Sequence, residues 1–159
     1  MKHSTALLVA TLAFAAAGPL SAQAGVAGSW IMEFPIGLRV INGVESSTGT
    51  GQARMTLTVT GDSVHGTWRD ITRGTTQPAR PRTLLGTIAK GRVRVETDPP
   101  DEGVIRDAEG EQHVRMRRIY DFTARGDSLL GTEQSINADD GTVAHSRAFS
   151  ARRETGTGG

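Results

Sequence analysis

The chain has no cysteine, one tyrosine and two tryptophans in 159 residues. The missing cysteine excludes disulfides, thiolate metal sites and a cysteine nucleophile. A small chain without such staples is held by its core and its backbone pairing. Neither sign of charge dominates, since 18 basic and 17 acidic residues leave a formal charge of +1. Nucleic acid and anionic membrane surfaces are therefore not expected as partners. There is no Gly-x-Ser-x-Gly and no phosphate loop. His65, His113 and His145 stand apart, without metal-ligand spacing. The acidic stretch Asp98, Asp101, Glu102, Asp107, Glu109 and Glu111 lacks the order of an EF-hand and reads as a solvated loop. No catalytic constellation, metal or cofactor is expected, and the protein is not read as an enzyme.

Long apolar runs are also absent, with one exception. Ala6–Ala17 is apolar apart from Thr11, follows the polar start Lys2-His3, and is too short to cross a bilayer. Gly18-Pro19 breaks it, and Ala22-Gln23-Ala24 fits the small-x-small cleavage rule. Residues 1–24 are therefore expected to be a cleaved signal peptide, with cleavage after Ala24 or, second, after Ala22. The expected product is periplasmic or secreted, monomeric and not inserted in a membrane. It consists of one domain, 25–153, and a disordered tail, 154–159. Its one signal base, Lys2, leaves with the signal, so the remainder is formally neutral.

What is present is a phrase said twice. Leu57-Thr58-Val59-Thr60-Gly61-Asp62-Ser63-Val64-His65-Gly66-Thr67 returns as Phe122-Thr123-Ala124-Arg125-Gly126-Asp127-Ser128-Leu129-Leu130-Gly131-Thr132. Each copy is an alternating strand, a Gly-Asp-Ser turn and a second alternating strand, which is a hairpin. Period-two alternation marks eight strands: Trp30–Phe34, Gln52–Thr60, Ser63–Ile71, Arg82–Ala89, Arg92–Thr97, His113–Ala124, Leu129–Asn137 and Thr142–Arg152. Lys90-Gly91 and Asp139-Asp140-Gly141 supply further turns. Pro35–Gly51, Thr72–Pro81 and Asp98–Gln112 read as long polar loops. The fold class is all-β. Eight strands in hairpin succession, each with one apolar face, predict an antiparallel up-and-down barrel, whose closure removes the edges.

Gly28-Ser29-Trp30 opens the first strand as the Gly-x-Trp signature opens lipocalins and other calycins, and Phe149-Ser150-Ala151-Arg152 closes the last strand as small calycin barrels end. With the repeated Gly-Asp-Ser phrase, the chain resembles small exported bacterial lipocalin-like barrels. It differs from streptavidin-like barrels in having only Trp30 and Trp68, and from metalloprotease-inhibitor barrels in having no disulfide. The resemblance implies a barrel that encloses a small apolar or amphipathic ligand, or one that works through its loops on another protein, as an inhibitor or envelope component. It also implies that Trp30 plugs the closed end, with Arg152 or Arg153 across its ring.

The apolar residues set the phase of each strand. With Val64 and Gly66 inward, Trp68 and Asp70 follow; with Val114, Met116 and Phe122 inward, Arg118 and Tyr120 follow. Leu129 and Gly131 lead to Glu133, and Phe149 and Ala151 turn His145 and Arg147 inward. Trp68, Arg118, Tyr120, Glu133, His145 and Arg147 are thus the candidate ligand-binding residues. A ligand carboxylate or hydroxyl held by Arg118 or Arg147 is one reading, and an Arg118–Glu133 pair that neutralises itself is the other. An interior filled by Met32, Phe34, Met55, Met116 and Phe122 would speak for an interaction module, and an open one for ligand binding.

Overall fold

The computed structural model describes residues 25–36, 39–41, 44–72, 80–107 and 110–155. The signal segment 1–24, positions 73–79 of the third connection and the tail residues 156–159 lie outside them. The alternating segments are strands. In chain order they are β1 (Gly28–Ile36), β2 (Arg39–Ile41), β3 (Val44–Ser46), β4 (Gly49–Thr60), β5 (Ser63–Asp70), β6 (Arg82–Ala89), β7 (Arg92–Asp98), β8 (Asp101–Asp107), β9 (Gly110–Arg125), β10 (Ser128–Asn137) and β11 (Val143–Arg153). Eight of them, β1, β4, β5, β6, β7, β9, β10 and β11, pair antiparallel in that order, and β11 returns to β1 to close a barrel.

Two of the expected long loops contain strands instead. β2 and β3 form a small hairpin within Pro35–Gly51. β8 occupies part of Asp98–Gln112 and pairs with the first half of β9, whose second half pairs with β7. Asp101, Glu102, Asp107 and Glu111 sit on a two-stranded arm, where backbone pairing satisfies groups that a solvated loop would leave to water; Asp98 ends β7 and Glu109 lies outside the described residues.

The repeated phrase performs the same construction twice. Gly61 and Gly126 take φ of +58° and +57° at the first position of two-residue turns, which an L side chain resists. The carbonyl of the next residue is then caught by a strand beyond the hairpin. Ile88 N–H donates to Asp62 at 2.9 Å, and Arg153 N–H donates to Asp127 at 2.8 Å. The second glycine of each copy bends its strand against its partner. A Cβ on Gly66 would lie 2.2 Å from the Thr56 carbonyl oxygen, and one on Gly131 2.0 Å from that of Asp121.

The tight turns gather at one end of the barrel and the long excursions at the other. The turn end is filled by Trp30, which is fully buried, donates its indole N–H to the Val26 carbonyl at 2.9 Å and lies 4.1 Å beneath a guanidinium. That cation is Arg153, not Arg152. Arg152 has the opposite parity on β11 and is exposed on the outer face, whereas Arg153 turns inward and donates to the carbonyls of Gly25 and Ala27. Glu154, assigned to the tail by sequence, lies against the wall. Its N–H meets the Ser29 carbonyl and its carboxylate meets Arg54. Met32, Met55, Leu57, Val95 and Phe122 continue a single buried cluster through the interior.

Candidate functional site

At the end with the long excursions the interior turns polar. β9 brings Arg118 there because of a fork. After Glu96–Ile119 the strand leaves β7 and at Met116 has joined β8. At the fork the buried Thr97 hydroxyl accepts the Arg118 N–H at 3.0 Å in place of a backbone partner. Two residues along the inner face comes Tyr120, opposite Glu133 of β10, which in turn stands opposite Arg147 of β11. Register alone therefore stacks these side chains side by side on neighbouring strands.

Glu133 is the centre of the group, its side chain only 3% exposed. Arg147 donates to its Oε2 from Nε at 2.8 Å and from Nη2 at 2.6 Å. Arg118 stands farther off, its Nη1 3.8 Å from Oε1. The sequence pairing of Arg118 with Glu133 thus needs amending, because Arg147 takes the close contact. Arg118 also lies over Trp68, 5.5 Å from the ring centroid, with Arg82 at 4.7 Å. Phe34 packs on the same ring at 5.7 Å, while Tyr120 and Phe122 pack on Phe149 at 5.4 and 5.5 Å. Trp68 and Phe34 thus stand beside Arg118, while Tyr120, Phe122 and Phe149 belong to the buried core.

Burial works against the charge on Arg118, but Tyr120, Glu133 and Asp101 outweigh it and hold its pKa above the usual guanidinium value. Burial, and then the Glu133 carboxylate, push the Tyr120 phenol well above its ordinary range, against the pull of Arg118 and Arg147. The Tyr120 hydroxyl is a neutral donor at physiological pH; Arg118 acts on its oxygen, and among the described residues nothing accepts its proton.

A pocket of about 210 Å3 opens here, lined by Phe34, Pro35, Arg118, Glu133, Ser135, His145 and Arg147. Among the described residues, two guanidinium groups line it against one carboxylate. Two further described acids lie nearby: Asp70 accepts the N–H and hydroxyl of Thr72, and Asp101, which also acts on Arg118, pairs with Arg82 at 2.6 Å. The six candidate residues therefore meet at one end of the barrel, with Arg118, Glu133, His145 and Arg147 on the pocket and Trp68 and Tyr120 behind it. Arg82 and Thr97 were missed. Arg82 had a signal, since it shares parity with Leu84 and Ile88; Thr97 had none short of the fork. Of the five residues expected to fill the interior, Met32, Met55 and Phe122 are buried below and Phe34 packs against them, while Met116 is only half-buried and outside the cluster; the open space is at the mouth and not along the axis. No family model, curated protein or solved structure matches the chain.

Proposed function

We propose that the protein is an exported lipocalin-like barrel that holds a small amphipathic carboxylate at its mouth. The carboxylate sits between Arg118 and Arg147, and the apolar part lies against Phe34 and Pro35. The observation that carries this reading is charge: a half-buried guanidinium, Arg118, faces a pocket in which the one carboxylate is already bonded to Arg147. The carboxylate nearest Arg118 stands 3.8 Å away, beyond hydrogen-bond distance, so an incoming anion can give it a charge-assisted hydrogen bond. The Tyr120 hydroxyl adds a buried donor in need of an acceptor. The filled interior restricts the ligand to a head group at the mouth. Export is supported by the order of polar start, apolar run and cleavage site, and mass spectrometry of protein from its host checks cleavage after Ala24. The outward residues Arg54, Thr58, His65, Thr67 and Arg69 are exposed and polar, the reverse of a barrel that meets lipid, which supports work in water.

The test is calorimetric titration with octanoate and with octanol. The expected result is saturable binding of octanoate, none of octanol, and loss of octanoate binding in Arg118→Met. Equal binding of the alcohol, or an unaffected Arg118→Met, overturns the reading.

A further inference from the structure

The barrel wall is interrupted where it closes. Among the described residues, β1 and β11 pair at Trp30–Arg153, Ile31–Arg152 and Met32–Ala151 and then part, although β1 runs on to Ile36 and β11 begins at Val143. The hydrogen bonds around the split fix what faces it. Glu154 N–H donates across to the Ser29 carbonyl, whereas Arg153 N–H donates to Asp127 on the β10 side and the Ile36 carbonyl accepts from Thr48 on the β4 side. By alternation, the backbone groups of Glu33 and Pro35 face the split from one strand, and those of Ser150, Ala148 and Ser146 from the other. Pro35 has no N–H, so the ladder lacks a donor at the position where Ala148 would need one. The side chains of Ser146, Ala148 and Ser150 are exposed. Immediately inside lies the mouth pocket with Arg147 and Arg118. Outside lies a second recess of about 290 Å3, bordered by Glu33, Gln52, Ser150 and Arg152.

An unpaired strand edge is a template for another strand, and extended peptides use such edges. This edge runs beside an under-neutralised guanidinium. We propose that the split seats an extended acidic peptide, which adds to the edge of β11 at Ser146, Ala148 and Ser150 and sends one carboxylate to Arg118 and Arg147. The proposal rests on the mouth being an anion site and names the class of molecule that carries the anion. Alternation suits it: one acidic side chain in register with Arg147 points into the pocket, and its neighbours along the peptide point to solvent. A second copy of the chain, added through its own β11, is the poorer occupant, because β11 (Val143–Arg153) carries no acidic residue to send to Arg118 and Arg147.

Amide hydrogen exchange tests the edge, using as probe a short peptide that alternates threonine and valine around one glutamate. In the free protein the amides of Ser146, Ala148 and Ser150 exchange fast, and those of Arg147 and Phe149, which face β10, exchange slowly. The peptide is expected to bind saturably and to protect the three fast amides. Its glutamine counterpart is expected to bind about tenfold more weakly, the loss of one charge-assisted contact. Ala148→Pro removes an N–H that β10 does not use and is expected to abolish peptide binding while octanoate still binds. Three amides already protected in the free protein, or equal peptide binding by Ala148→Pro, overturn the inference. Octanoate binding without peptide binding overturns the edge and leaves the anion site. Failure of both ligands overturns both. Protection that grows with protein concentration alone assigns the edge to a second copy and also overturns it.

Discussion

Arg147 holds Glu133 through a single carboxylate oxygen, at 2.8 and 2.6 Å, while the other oxygen faces Arg118 across 3.8 Å. The two arginines are thus unequal partners of one acid. Arg147 keeps the buried charge in place, and Arg118 is left with charge to spare.

This inequality separates stability from binding. Arg147→Met strands the buried Glu133 and is expected to cost roughly 3–5 kcal/mol in urea unfolding. Adding Glu133→Gln should recover much of that loss in a double-mutant cycle. Arg118→Met should move the midpoint far less and abolish octanoate binding. Equal stability losses from the two arginine variants would mean that both serve the acid alike.

Tyr120 is the only tyrosine, so its ionisation is read without interference by absorbance near the tyrosinate band. Burial raises its folded pKa above the ordinary 10.0. Below that value both states hold the proton and stability is unaffected. Above it the unfolded chain releases a proton that the folded chain keeps, so stability falls as pH rises, by at most about 1.4 kcal/mol per unit. Tyrosinate absorbance should appear only with unfolding, and Tyr120→Phe should flatten the alkaline slope. At neutral pH Tyr120→Phe should cost little stability, since among the described residues nothing accepts the hydroxyl proton and only its interaction with Arg118 is lost.

The two glycines of each repeat should respond differently. Gly66→Ala and Gly131→Ala place a Cβ against backbone oxygen at 2.2 and 2.0 Å, and relief requires the strands to move apart. A Cβ on Gly61 or Gly126 meets nothing within 4 Å, so only the strained φ remains, about 1–2 kcal/mol. Thermal unfolding should rank the strand glycines as the more damaging pair; the opposite order would show that the bend tolerates a methyl group.

Trp30→Ala should cost roughly 3–5 kcal/mol, since the ring is fully buried and anchored at both Val26 and Arg153. Arg153→Gln keeps the ring and removes the cation and the bonds to Gly25 and Ala27; a smaller loss, with a shift in tryptophan emission, is expected.

The strands and their inward faces were legible because period two is strict wherever one face is buried. That is why Trp68, Arg118, Tyr120, Glu133 and Arg147 were found on the inside from their apolar neighbours alone. The choice between Arg118 and Arg147 as partner of Glu133 was not legible, because parity places both in reach and only side-chain geometry decides. The choice between Arg152 and Arg153 over Trp30 was not legible, because the motif carries no phase. The β8 arm was hidden by its acids and prolines, which read as loop when strand pairing overrides them. The split beside Pro35 was hidden because a repeat of hairpins says nothing about the one pairing that no turn connects.

That unconnected pairing also sets the order of folding. Arg153 is bonded to residues 126 and 128 positions earlier in the chain, so the entropy of joining two distant segments must be met before these contacts form. Every other neighbouring pair of barrel strands follows in sequence, three of them across a two-residue turn. β11 therefore docks on β1 late, and until it does the growing chain is an open curved sheet with an unprotected first strand. The last few residues of the domain decide when the nascent molecule stops being adhesive.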